Sequence, residues 1–251
     1  MKISIITCSY NAANTIKETI NSVLCQKDAD IEYIIIDGLS NDGTADIIEK
    51  YSDKIYKFLS EKDSGIYNAM NKGIRLSKGD IVGFLNADDV YFDETIISKI
   101  VKIFEDKKAD SVYGDLIYVA GNNNKTKRYW KSGGFNVNNF KRGWMPPHPA
   151  FFVKRDVYGK YGGFNENYKI SADYDLMVKL LYKNKISTSY LSEILVKMKT
   201  GGASNKFLQT VRRLKEDFAI IKEYNLGGFG AGLDVMFKKR FYKISQYFKH
   251  S

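Results

Sequence analysis

The sequence predicts an α/β protein on a doubly wound, mostly parallel sheet, with a helical extension at its C-terminal end. Three observations carry that expectation. Short, continuous apolar runs recur at Ile3–Thr7, Ile31–Ile36, Ile55–Leu59 and Ile81–Leu85, as expected of strands buried on both faces. Segments of helical apolar spacing separate them. Polar and acidic residues cluster where each run stops, on the rim where open α/β sheets bind their ligands.

The elements follow in order. After the first strand, Asn14–Cys25 reads as a helix with Ile16, Ile20, Val23 and Leu24 on one face. The second strand ends at Asp37-Gly38. The loop S-N-D-G-T then opens a helix to about Tyr51, with Asp42 or Thr44 as its cap. The third strand leads into a helix over Tyr67–Leu76, and the fourth runs directly into Asp88-Asp89. Such alternation requires parallel strands joined by crossover helices.

Beyond about residue 115 the pattern loosens. Asn122, Asn123, Asn124 and Lys125 mark a hairpin tip. All three prolines fall within Met145–Pro149, which favours a rigid, extended loop. A helix is expected over Asp173–Tyr182 and strands over Ile186–Leu191 and Ile194–Met198. A C-terminal helix is expected with Phe207, Val211, Leu214, Phe218 and Ile221 on its apolar face. The Gly-rich joint 227–232 leads to a last segment, Leu233–Phe248.

The 251 residues suffice for a full core, and 44% hydrophobic with 27% charged residues is ordinary globular usage. A formal net charge of +10 points to an anionic partner: nucleic acid, an acidic membrane surface or a phosphorylated substrate. No motif for base or phosphate readout accompanies the charge, so nucleic acid is not expected. Cys8 and Cys25 fall in apolar patterns and read as buried, reduced thiols. The N-terminal apolar stretch is too short for a signal peptide and no run has membrane-spanning length, so a cytoplasmic location is expected.

Two adjacent carboxylates at a strand end repel each other, and a hard divalent cation neutralises both. A turn with a helix N-cap is the alternative for Asp88 and Asp89, because Asp93-Glu94 follows. The first strand-helix turn, C-S-Y-N-A-A-N, has no Gly-rich dinucleotide fingerprint, and no P-loop lysine motif is present. Asp37 ends the second strand, where it suits a ribose hydroxyl or the imide N–H of uracil, or simply a turn before Gly38. Glu61–Gly65 follows the third strand and shares the rim.

Four strings carry a resemblance: S-I-I-T-C-S-Y-N, I-I-I-D-G-L-S-N-D-G-T, E-K-D-S-G-I-Y-N-A-M-N-K-G-I and G-D-I-V-G-F-L-N-A-D-D. In this order they resemble family 2 glycosyltransferases, and H-P-A-F-F-V-K-R, G-G-F-N-E and S-A-D-Y-D-L-M-V-K-L continue the likeness. Bacterial enzymes of surface-polysaccharide and lipopolysaccharide assembly, including colanic-acid-type transferases, are the nearest in kind. The resemblance implies a GT-A fold and inverting transfer from a nucleotide-diphosphate sugar, most simply a UDP-sugar, to a glycan or lipid-linked acceptor. It divides the chain into a donor half (1–115), an acceptor and catalytic half (116–205) and a helical, basic extension (206–251).

Carried over, Asp37 binds the nucleobase beside Thr7 and Tyr10, and Asp63 lines the donor pocket. Asp88 and Asp89 hold Mn²⁺ or Mg²⁺ on the diphosphate, with Asn86 in the donor site. Asp173 is the catalytic base. The chemistry agrees, since a sugar hydroxyl needs a carboxylate to take its proton and the departing diphosphate needs its charge neutralised. The chain departs from the family pattern in three places. Asn86 stands where the acidic motif begins with Asp, and Ala172 stands where many members have Glu. Lys197–Asn205 lacks the histidine that some GT-A enzymes use on the metal, so Lys199 is left to offset diphosphate charge.

His148 reads as an acceptor-site residue or as a structural histidine. Trp130 and Trp144 read as sugar-stacking or as core residues. In the last segment Leu233, Phe237, Phe241, Ile244 and Phe248 form an apolar face, with Lys238, Lys239, Lys243 and Lys249 off it. This pattern suits residues 233–249 either to an anionic membrane surface, as a peripheral attachment to the inner face of the membrane, or to packing on the domain. Two other functions fit an α/β sheet of this kind: a nucleotidyltransferase and an inactive nucleotide-sugar-binding module.

Overall fold

The computed structural model describes residues 1–120, 125–199, 206–226, 234–236 and 238. Four parallel strands form its heart: β1 (Lys2–Ser9), β2 (Asp30–Asp37), β3 (Lys57–Ser60) and β4 (Ile81–Phe84), ordered β3-β2-β1-β4. Between them lie α1 (Ile16–Leu24), α2 (Thr44–Glu49) and α3 (Ile66–Leu76). The two-residue strand period divides the core. Ile6, Cys8, Ile34, Ile36, Val82 and Phe84 pack with Tyr67 and Met70 of α3, whereas Ile3, Ile5, Tyr33, Ile35 and Ile81 pack with Ile16 and Ile20 of α1. Both faces are covered, as the unbroken apolar runs require.

The second half adds β5 (Asp89–Tyr91), α4 (Ile96–Lys107), β6 (Ser111–Ala120), β7 (Lys125–Trp130), β8 (Phe151–Lys154), α5 (Arg155–Tyr161), α6 (Ala172–Met177), β9 (Thr188–Lys199) and α7 (Lys206–Glu223). These strands extend the same sheet in the order β4-β8-β6-β9-β5, with β7 on β6. Here pairing is mixed: β8 is antiparallel to β4 and β6, β9 is parallel to β6, and β5 is antiparallel to β9. Residue 115 lies inside β6, so one strand joins the two halves.

Several elements differ from expectation. The two late strands are one, β9, because Leu191–Glu193 bulge opposite Gly114 and the ladder resumes at Asp115↔Ile194. The helix begun by α6 passes into a π-helical turn at Val178–Lys183. The proline segment is extended at Pro147 but then forms a 3-10 turn at His148–Ala150, buried throughout. Cys8 is buried, and burial pushes its thiol pKa up, but Cys25 is exposed at the end of α1. The hairpin tip at 122–124 and the Gly-rich joint lie outside the described residues, as does most of 233–249. Of that last segment, Val235 is buried against the core.

The C-terminal helix forms, but of the face the apolar spacing selects Ile221 is buried and three other residues are not. Val211, Leu214 and Phe218 are exposed, while Glu216, Asp217, Ile220 and Ile221 face inward. Polar partners on the domain, described below, determine this orientation. No helix among the described residues is long and apolar enough to cross a membrane.

Candidate active site at the strand ends

The rim begins with two interlocked loops. Asn11, after β1, accepts through Oδ1 from the Asn41 N–H, and its own N–H donates to Ser40 Oγ. Asn11 and Leu39 both adopt the left-handed region, with φ of 50° and 62°. The turn at Leu39 brings the Ser40 N–H back to Asp37 Oδ2 at 2.9 Å.

Asp37 is fully buried and its carboxylate is saturated. Oδ1 accepts from the Ser9 and Ser40 hydroxyls at 2.9 and 2.5 Å, and Oδ2 accepts from the Ser40 N–H and the Ser60 hydroxyl at 2.9 and 2.8 Å. With its lone pairs so occupied, Asp37 ties the ends of β1, β2 and β3 together. Thr7 is buried in β1 with Oγ1 3.1 Å from the Tyr33 hydroxyl.

Tyr10 and Asp63 do lie on the open rim. The Tyr10 ring is 68% exposed, and Asp63 is half-buried, with Oδ1 accepting from the Gly65 N–H at 2.9 Å. Gly38 sits between them. A Cβ there would fall 2.7 Å from Asp63 Oδ2 and 3.3 Å from Tyr10 Cδ2, so any larger residue would displace the Asp63 carboxylate from its place beside Tyr10.

The acidic turn after β4 separates its two carboxylates. Asp88 is half-buried, and desolvation raises its pKa against the nearby charge of Lys199. Asp89 is fully buried at the start of β5, and its Oδ2 accepts from the Asn86 amide at 2.9 Å. Burial, then the charge of Asp88, holds its pKa well above the usual carboxylate range. The pairing Asp89↔Met198 brings Lys199 beside the turn, where its ammonium also pairs with Glu18 of α1. Asp88 is therefore the accessible acid of the pair, while Asp89 and Asn86 brace the turn from within.

A chain of rings links this turn to Asp173. Phe84 stacks on His148 at 5.4 Å, both contact Phe164 at 5.4 Å, and Phe164 stacks on Tyr67 at 5.5 Å. The Tyr67 hydroxyl donates to the Ile170 carbonyl at 2.7 Å and lies 3.3 Å from Asp173 Oδ1. Asp173 is half-buried in the first turn of α6, and its Oδ1 also accepts from the Tyr174 N–H at 2.8 Å. His148 is buried in this aromatic cluster. Burial lowers its pKa, opposed by the charge of Asp173, and its Nε2 has no hydrogen-bond partner among the described residues.

Trp144 is core. It is 3% exposed, its Nε1 donates to the Ser132 carbonyl at 2.8 Å and its ring packs edge-on against Tyr113 and Phe140. Its ring is covered by neighbouring aromatic side chains. Trp130 is half-buried, with the Arg128 guanidinium 5.0 Å from its ring centroid.

Sequence reasoning missed Tyr67, although it lies within the family-like G-I-Y-N string. It also missed Glu216, which accepts three main-chain N–H groups just before Asp173. Nothing local marks that residue, since the apolar spacing of its helix points to another face.

Among the described residues no group of three or more His, Cys, Asp or Glu side chains could form a metal cage. A half-buried carboxylate facing the rim does fit a cation shared with substrate phosphates, which usually takes only one or two protein carboxylates. Asp88 meets that description.

Parallel strands with polar and acidic side chains gathered past their carboxyl ends are the arrangement in which α/β enzymes bind their ligands. The chain belongs to glycosyl transferase family 2, whose model matches residues 4–165, and it is a glycosyltransferase. A PGL/p-HBAD biosynthesis glycosyltransferase of Mycobacterium bovis is 30% identical over 209 residues, covering 80% of this chain and 78% of the relative. Residues 1–349 of S. aureus TarS, solved with UDP-GlcNAc, superpose with a TM-score of 0.72 at 17% identity, covering 100% of this chain and 74% of that one. The mannosyltransferase PcManGT from Pyrobaculum calidifontis, solved with GDP-Man and Mn²⁺, gives 0.66 at 14% identity, covering 96% and 69%. The fold is GT-A, as the resemblance implied.

Proposed function

We propose that the protein transfers a sugar from a nucleotide-diphosphate donor, most simply a UDP-sugar, to a hydroxyl of a glycan or lipid-linked acceptor, with inversion, in the assembly of a bacterial surface glycan. One observation carries the reading: a contiguous aromatic cluster runs from Phe84, at the end of the strand that leads into the Asp88 turn, to Tyr67, whose hydroxyl meets Asp173. The names of the mycobacterial relative and of TarS with its UDP-GlcNAc support the class of product and donor.

The chain's own residues divide the work. Tyr10 offers an exposed ring for the nucleobase, with Asp63 beside it as acceptor for a base or ribose donor. Asp88 would hold Mn²⁺ or Mg²⁺ for the diphosphate, and Lys199 adds positive charge beside it. The bound cation neutralises charge on the departing diphosphate. Asp173 takes the acceptor hydroxyl's proton while that oxygen bonds to the anomeric carbon. The bond from that carbon to the diphosphate breaks in the same displacement, and the nucleoside diphosphate leaves with the electron pair. His148, Phe84, Phe164 and Tyr67 form a buried cluster that meets Asp173 through the Tyr67 hydroxyl.

Incubation with nucleotide sugars and Mn²⁺, with and without saccharide acceptors, tests this. Released nucleoside diphosphate is expected, and its loss in Asp173→Asn with donor binding retained supports the base. Released pyrophosphate would instead indicate nucleotidyl transfer.

A further inference from the structure

The three residues before α6 lie in no helix or strand, yet their backbone is held tightly. The Lys169 N–H donates to Glu216 Oε1 at 3.0 Å, and the Ile170 and Ser171 N–H groups donate to Glu216 Oε2, each at 2.9 Å. Successive main-chain N–H groups turned to one side form an anion cradle, and here the chain fills it with its own carboxylate. Arg212, one turn earlier on α7, donates to the same Oε1 at 3.0 Å. Glu216 is 8% exposed.

Further contacts tie the same surfaces together. The Tyr224 hydroxyl donates to Asp175 Oδ1 at 3.0 Å, and the Tyr168 hydroxyl donates to Glu223 Oε2 at 3.2 Å. From the other side, Tyr67 holds the Ile170 carbonyl. Residues 169–171 are thus fixed between α3 and α7, and Asp173 follows in the first turn of the short α6. This arrangement explains why Glu216 faces inward while Leu214 and Phe218 are left in solvent. Glu216 and Asp173 both lie beyond the stretch matched by the family model.

We propose that Glu216 is a positioning residue for sugar transfer: its carboxylate fixes the 169–171 backbone and thereby sets where Asp173 meets the acceptor hydroxyl. The proposal rests on Asp173 being the base. Misplacing a reacting group by about 1 Å costs on the order of a hundredfold in rate. A glutamine at 216 has one acceptor oxygen for the three N–H groups and turns an amide NH₂ toward them.

Glu216→Gln and Asp173→Asn are compared with wild type, with kcat per donor-binding site taken from a UDP titration in Mn²⁺. For Glu216→Gln, kcat is expected to fall about tenfold to a hundredfold while donor affinity and acceptor KM stay as in wild type. A purely structural role would lower Tm and the number of binding sites but leave kcat per site unchanged, and that result overturns the proposal. Full turnover by Asp173→Asn would sink the base assignment instead, so the two failures are distinguishable. Should Glu216→Gln not fold, hydrogen exchange on the wild-type protein decides. The Lys169, Ile170 and Ser171 amides are expected to exchange far more slowly than those of Lys62 and Ser64 on the opposite rim loop, and equal rates overturn the clamp.

Discussion

The Tyr67 hydroxyl stands 3.3 Å from Asp173 Oδ1 while donating to the Ile170 carbonyl at 2.7 Å, so one side chain of α3 touches both the carboxylate of α6 and the backbone that leads to it. Burial, then the charge of Asp173, pushes the Tyr67 pKa up, which keeps the hydroxyl protonated as a donor. Tyr67→Phe keeps the stack on Phe164 and removes only the oxygen. The expected result is a fall in kcat of roughly tenfold, equivalent to about 1.4 kcal/mol, with unchanged donor affinity. A raised donor Kd at constant kcat would assign Tyr67 to the donor pocket instead.

Asp37→Ala separates anchoring from ligand binding. Its carboxylate accepts from three hydroxyls and one main-chain N–H, which would lose their common partner in a buried place. A loss of about 3 kcal/mol is expected, as for hydrogen bonds to a charged group. For a chain of this size that lowers Tm by roughly 6–12 °C. UDP affinity measured well below Tm should not change. A large loss of affinity at constant Tm would place Asp37 at the nucleobase instead.

These outcomes bear on what the sequence makes legible. The parallel half was readable because its strands are buried on both faces, and an unbroken apolar run as short as Ile31–Ile36 suits little besides a strand covered on both sides. Strand polarity then placed Tyr10, Asp63 and Asp88 on one rim. Residue type alone could not separate Asp88 from Asp89, or Tyr10 from Thr7, because which neighbour faces the core depends on pairing partners such as Met198 and Tyr33. The anchoring contacts of Asp37 were not legible because its serine partners, Ser9 and Ser60, lie on other strands. Glu216 was invisible because its partners are main-chain N–H groups more than forty positions away, which no side-chain pattern encodes.

Asp88→Asn tests the acidic turn. The substitution keeps the shape of the side chain and removes its charge, while Asp89 and Asn86 continue to brace the turn. UDP affinity in the presence of Mn²⁺ should fall at least about tenfold, the loss of a charge-assisted ligand worth roughly 1.5–3 kcal/mol. Affinity measured in chelator should stay at the wild-type value. Calorimetry showing equal Mn²⁺ dependence in both proteins would remove Asp88 from the metal site.

Acid should weaken the fold in two separable windows. Burial lowers the His148 pKa from its ordinary 6.5, against the opposing charge of Asp173. The unfolded chain therefore takes up this proton first, and stability falls as pH drops below about 6.5. Glu216 acts lower on the scale. Burial alone would raise its pKa, but the N–H groups of Lys169, Ile170 and Ser171 and the Arg212 guanidinium hold it below the ordinary 4.5. Its contribution is fully present above about 4.5 and is lost as pH falls through the depressed folded value. The Tm gap between wild type and Glu216→Gln should thus be constant from about pH 7 to pH 5 and close below about pH 4.5. Replacing His148 with Gln should instead flatten the upper window and leave the lower one in place. A gap between wild type and Glu216→Gln that closes already near pH 6 would show that the clamp does not depend on the carboxylate's charge.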